Sequence, residues 1–103
     1  MIYIKSHKTD EGLILAMCDE SLIGSVLDDG KMFIDIKRYA DFYVGELVDK
    51  AKAKELISPE KISSVNVIGE EAIQVAISNS VISKDNVKSI KGVPYAQAYK
   101  VDY

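Results

Sequence analysis

The chain has 103 residues, 48% of them hydrophobic and 28% charged, which is the balance of an ordinary globular domain and excludes a disordered or fibrous chain. A single cysteine, Cys18, excludes an internal disulfide, and no apolar run approaches the roughly 18 residues needed to cross a bilayer. The formal charge of -3, from 13 basic and 16 acidic residues, has the wrong sign for indiscriminate attraction to phosphate backbones, so DNA is not an expected partner. One domain over residues 1–103, in a reducing and hence cytoplasmic compartment, is the expectation. The segment from Met1 to Lys8 also lacks the basic-then-apolar order of a signal peptide.

Ile2 and Ile4 alternate with Tyr3, Lys5 and His7, the period of a strand with one wet face. Polar turn chemistry at Lys8 to Gly12 then leads into the apolar run Leu13 to Cys18, which predicts a hairpin. Both parities of that run are apolar, so its strand belongs inside the sheet with both faces covered.

Asp19 to Gly24 predicts a turn or a single helical turn. Asp28-Asp29-Gly30 is a second turn signal, ahead of a strand at 31–37. The aromatic segment Asp41 to Glu46 follows as a loop. Asp49 to Ile57, rich in Ala, Lys, Glu and Leu, predicts a helix capped by Asp49 and stopped before Pro59.

Ile62 to Ile68 reads as a strand. Gly69 then opens a second helix in which Ala72, Ile73, Ala76 and Ile77 form one apolar stripe and Glu70 and Glu71 suit the positive end of the helix dipole. Val87–Ile90 and Ala96–Val101 are the last strands, separated by a turn at Lys91 to Pro94. The elements together predict an α+β fold, a mixed and mainly antiparallel sheet of five or six strands with two helices packed on it.

Little in this chain looks like catalytic machinery. Cys18 is followed by Asp19 and Glu20, which would raise its pKa, and its one candidate base is His7; a free cysteine ending an apolar strand is more often a small core residue. With one histidine and one cysteine, no zinc set exists. Asp28, Asp29 and Asp35 fail the calcium-loop spacing, and an acidic hairpin turn is the plainer account. The turn Asn66 to Glu71 lacks a phosphate-binding glycine pattern and carries two carboxylates that would repel an anion, so Gly69 reads as a packing turn. No metal or cofactor is expected.

Two aromatic segments resist a purely structural account: Asp41-Phe42-Tyr43-Val44-Gly45-Glu46, and Gly92-Val93-Pro94-Tyr95-Ala96-Gln97. Exposed tyrosines anchor binding surfaces, whereas rings that fill the interior do not. If Tyr43 and Tyr95 share a face with Lys84, Lys88 and Lys91, a peptide or a single-stranded nucleic acid can stack there.

The order Cys18-Asp19-Glu20-x-Leu22-Ile23-Gly24, Phe42-Tyr43-x-Gly45-Glu46, Asn66-x-x-Gly69-Glu70-x-Ala72 and Gly92-Val93-Pro94-Tyr95-Ala96-Gln97 resembles a small archaeal family, domain of unknown function 424. The resemblance implies an archaeal cytoplasmic protein without an established activity, of a size class that often attends translation or RNA processing. The family pattern has His where this chain has Tyr95, which weakens an acid-base or metal role there and leaves stacking and hydrogen bonding.

The functional expectation is a non-enzymatic binding or adaptor module that meets a protein or RNA partner and no membrane. Its binding residues are Phe42, Tyr43, Gly45 and Glu46 from the first aromatic segment, Asn66 and Gly69 from the strand-to-helix turn, and Pro94, Tyr95 and Gln97 from the second. The alternative is a small enzyme with a pocket formed by Cys18, His7, Glu46 and Tyr95, joined by Asp41. Oligomeric state is left open by the sequence.

Overall fold

In the computed structural model, which describes residues 1–99, the chain runs β1 (Ile2–Thr9), β2 (Gly12–Asp19), β3 (Val26–Asp28), β4 (Phe33–Asp35), α1 (Ala40–Tyr43), β5 (Glu46–Val48), α2 (Lys50–Leu56), β6 (Ile62–Ile68), α3 (Glu70–Ser78), β7 (Lys88–Ile90) and β8 (Val93–Tyr99). Six strands form one sheet in the order β5-β1-β2-β6-β8-β7, and β3 pairs with β4 in a separate ribbon. Within the large sheet only the β2–β6 pair is parallel. The class is α+β, with the mixed, mainly antiparallel sheet that the sequence predicts.

The hairpin β1–β2 is in register from Ile2 opposite Asp19 to Thr9 opposite Gly12. Its alternation puts Ile2 and Ile4 on one face and Tyr3, Lys5 and His7 on the other. β2 is buried on both faces, by Leu15 and Met17 on one side and Ala16 and Cys18 on the other, as the apolar run required.

The main core lies on the face of Ile2, Ile4, Leu15, Met17, Val65 and Val67, covered by Ala53 of α2 and by Ala72, Ile73, Val75 and Ala76 of α3. Each fully buried Ile, Leu or Met there contributes about 1.5–3 kcal/mol. Asp49 caps α2 by accepting the Lys52 N–H at 2.8 Å, and the helix stops before Ser58 and Pro59. The opposite face carries a second cluster of Cys18, Ile36 and Ile68, against which Leu27, Ile34, Tyr43, Val93 and Tyr95 pack.

Several elements differ from the sequence reading, among them β3 and β5, where no strand was expected. The strand expected at 31–37 does not enter the large sheet; its centre is β4, paired with β3 over the second cluster, on which Leu27 and Ile34 pack half-buried while Val26 and Phe33 stay in solvent. Asp28 and Asp29 close that ribbon as a turn, accepting N–H bonds from Gly30, Lys31 and Met32. The aromatic segment is a single helical turn and not a loop, closed by Val44 N–H donating to the Ala40 carbonyl at 2.8 Å. The last hairpin turns on two residues, Lys91 and Gly92, both with positive φ, so β8 starts at Val93 and includes Pro94. The expected strand end at Val101 lies outside the described residues. No helix among the described residues is long and apolar enough to cross a membrane.

Candidate functional site

The second face of the sheet carries a cleft of about 270 Å³, walled by Met32 to Asp35 at β4 and by Tyr39, Phe42 and Tyr43 around α1, and floored by Asn66 to Ile68 of β6 and Tyr95 to Gln97 of β8. The antiparallel register sets Asn66 opposite Gln97 and Ile68 opposite Tyr95. Directly opposed side chains stand about 4.5–5.5 Å apart at Cβ, so the floor is a block of two carboxamides beside an isoleucine and a tyrosine. Phe33 and Tyr39, at 59% and 57% exposure, form an aromatic rim.

The α1 wall is held to β1 by three contacts. His7 stacks on Phe42 with ring centroids 4.4 Å apart, its Nε2–H donates to the Phe42 carbonyl at 2.8 Å, and Lys5 Nζ donates to the Asp41 carbonyl at 2.7 Å. Gly45 ends the turn where a side chain would run into the Ile4 carbonyl and Lys5, so only a glycine lets α1 pass this close to β1 into β5. Phe42 meets Tyr43 edge-on at 5.2 Å. Burial, reinforced by the neighbouring Cys18 thiol, pushes the Tyr43 hydroxyl up to about 12, so it is a neutral hydrogen-bonding group.

Among the described residues, the carboxamides of Asn66 and Gln97 and the hydroxyls of Tyr43 and Tyr95 have no hydrogen-bond partner in the protein. Among the described residues the one charged side chain lining the cleft is that of Asp35, whose Oδ1 accepts the Arg38 N–H at 2.8 Å. Cations stand outside it. The Arg38 guanidinium lies 5.6 Å from the Tyr39 ring centre, and Lys88 is the cross-strand partner of Tyr95. Lys84 and Lys91 do not line the cleft.

Five of the nine residues singled out as binding residues therefore meet here: Phe42, Tyr43, Asn66, Tyr95 and Gln97. Gly45, Glu46, Gly69 and Pro94 do not. Glu46 is exposed on β5 opposite Ile4. Gly69, at φ 111° and ψ 154°, starts α3 and donates its N–H to the Pro94 carbonyl at 2.8 Å, so both are scaffold. The sequence reading missed Met32, Phe33, Ile34, Asp35 and Tyr39; the exposed aromatics Phe33 and Tyr39, flanking an alternating run, were the available signal.

The residues of the enzymatic alternative do not converge. Cys18 is fully buried, its Sγ donates to the Asp19 carbonyl at 3.4 Å, and burial followed by the Asp19 charge pushes the thiol up to about 12. Cys18 faces Tyr3, whereas His7 faces Ile14, four residues or about 13 Å further along the strand. Of the four, only Tyr95 lines the cleft. Among the described residues no group of three or more His, Cys, Asp or Glu side chains is placed to hold a metal ion.

The family described as protein of unknown function DUF424 matches residues 6–101. The chain belongs to the DUF424 family. The resemblance drawn from the four ordered motifs thus holds, and those motifs fall on the end of β2 and the turn after it, on α1 and the start of β5, on the β6–α3 junction and on the start of β8 of this DUF424 protein. The crystal structure of an uncharacterized conserved protein from Methanopyrus kandleri is similar to it, with a TM-score of 0.79 and 26% identity over 95% of this chain and 90% of that one. No curated protein matches it.

Proposed function

We propose that this DUF424 protein is a non-catalytic binding module of the archaeal cytoplasm, whose cleft seats one flat group of a protein or RNA partner. The observation that carries the reading is the pair of opposed carboxamides, Asn66 and Gln97, left without partners on a floor framed by tyrosines. Polar groups that converge in an aromatic cleft without satisfying each other are the usual hardware of recognition. Catalysis is less well supported, because the thiol is held neutral, the histidine is committed to α1, and neither lines the cleft.

The test is a titration of the ¹⁵N-labelled protein with a panel of planar heteroaromatic fragments, followed by amide chemical shifts. The reading expects saturable shifts confined to Asn66, Ile68, Tyr95, Ala96, Gln97 and α1. Shifts scattered over the surface, or none at the millimolar concentrations at which fragments bind, would contradict it.

A further inference from the structure

We infer that the flat group is an unpaired adenine presented by a single nucleic-acid strand, an inference that rests on the cleft being the binding site. A carboxamide offers one donor and one acceptor side by side, and the base pattern that answers it is an amino group next to a ring nitrogen. Adenine has that pattern on two adjoining edges, N6 with N7 and N6 with N1. Cytosine has one such edge, N4 with N3, and uracil has no amino group, its acceptors O2 and O4 sharing the single N3–H. Two carboxamides opposed across β6 and β8 therefore match adenine better than a pyrimidine.

On the same two edges guanine answers a carboxamide once, N1–H with O6; its other edge presents two adjacent acceptors, O6 and N7, which call for Arg or Lys, and no Arg or Lys among the described residues lines the cleft. An aliphatic or aromatic side chain of a protein partner would fill the space but leave both carboxamides without partners, a desolvation cost that a base avoids. Aromatic rings at Phe33, Tyr39 and Tyr95 supply faces on which a splayed-out base stacks.

The charges are arranged to suit a strand. Among the described residues the cleft itself is uncharged apart from Asp35, while Arg38 and Lys88 stand beside it, next to Tyr39 and Tyr95, where the phosphates flanking a seated base would run. The -3 net charge keeps binding from being driven by the backbone alone, so discrimination falls on the base.

Fluorescence anisotropy of the full chain at low salt, with labelled octamers of A, C and U in ribose and deoxyribose forms, tests the inference. The A octamers bind about tenfold or more tighter than C or U. Asn66→Asp and Gln97→Glu keep side-chain shape but exchange the donor for an acceptor, and each removes that preference while the amide spectrum stays folded. A preference shared by both sugars identifies the base alone as the ligand, and a preference confined to the ribose series identifies RNA as its source; either supports the inference. Absence of saturable A binding, equal affinity for A, C and U, or a preference that survives both substitutions overturns it. If planar fragments still shift the cleft amides while the A octamer does not bind, the adenine assignment fails and the cleft assignment stands; if neither acts, both fail.

Discussion

The Asp19 carboxylate at the end of β2 accepts the Ala72 backbone N–H in the first turn of α3 at 2.8 Å, although 53 residues separate the two. Its other oxygen accepts the Glu71 N–H at 3.1 Å, so a strand residue caps a helix that carries no side-chain cap of its own. Gly69 makes room for this. A side chain there would occupy the Asp19 carboxylate, and its φ/ψ pair belongs to a region that glycine alone occupies readily. Removing the cap, Asp19→Ala, is expected to destabilise the fold by about 1–3 kcal/mol. Gly69→Ala, which adds strain to the clash, is expected to cost about 2–4 kcal/mol. Guanidinium unfolding of the two variants checks both.

Burial raises the Asp19 carboxyl above its ordinary value of 3.8, against the opposing pull of the two helix N–H groups. Carbon-detected NMR titration should find this carboxyl among the later ones to ionise. Because the folded state then holds its proton longer than the unfolded chain, this group's contribution to stability is complete below about pH 4 and declines as the pH rises through the folded value.

Cys18 and Tyr43 act in the same sense at high pH. Both are pushed up to about 12, from 9.0 and 10.0, mainly by burial. The folded state retains protons that the unfolded state releases, so stability is full below about pH 9 and is lost toward pH 12, by on the order of several kcal/mol. Unfolding midpoints measured between pH 8 and 11 should fall steeply in the native sequence and more shallowly in a Tyr43→Phe, Cys18→Ala double variant.

The thiol should be inert in the folded protein. A rise from 9.0 to about 12 cuts the thiolate fraction near pH 8 by roughly a thousandfold, before access is considered. Iodoacetamide should therefore modify Cys18 far more slowly in the native than in the denatured protein; equal rates would revive a reactive cysteine.

His7 is expected to act on the cleft through α1. His7→Ala removes the ring stack on Phe42 and the bond to its carbonyl, costing about 1–2 kcal/mol. Hydrogen exchange should speed up at the Phe42 and Val44 amides, which close the helical turn, and leave the α3 amides unchanged.

Local chemistry in the sequence was enough to read β1, the interior place of β2, the Asp49 cap and the Gly69 turn, because each depends on neighbours a few residues away. The ribbon β3–β4 and the one-turn helix α1 were not readable as such, since three- and four-residue elements are too short to display a period. The two aromatic segments could be picked out by composition, but their meeting depends on a parallel β2–β6 pair and on β8 lying beside β6. The facing of Asn66 and Gln97 follows from register, and a slip of β8 by one residue would turn Gln97 to the other side of the sheet, away from Asn66.

The most direct measurement follows the side-chain amide signals of Asn66 and Gln97 while adenosine monophosphate is titrated into ¹⁵N-labelled protein. Both NH₂ pairs should move together, on one saturation curve, with cytidine and uridine monophosphates leaving them nearly still. Two stationary carboxamides, or equal movement with every nucleotide, would contradict the account.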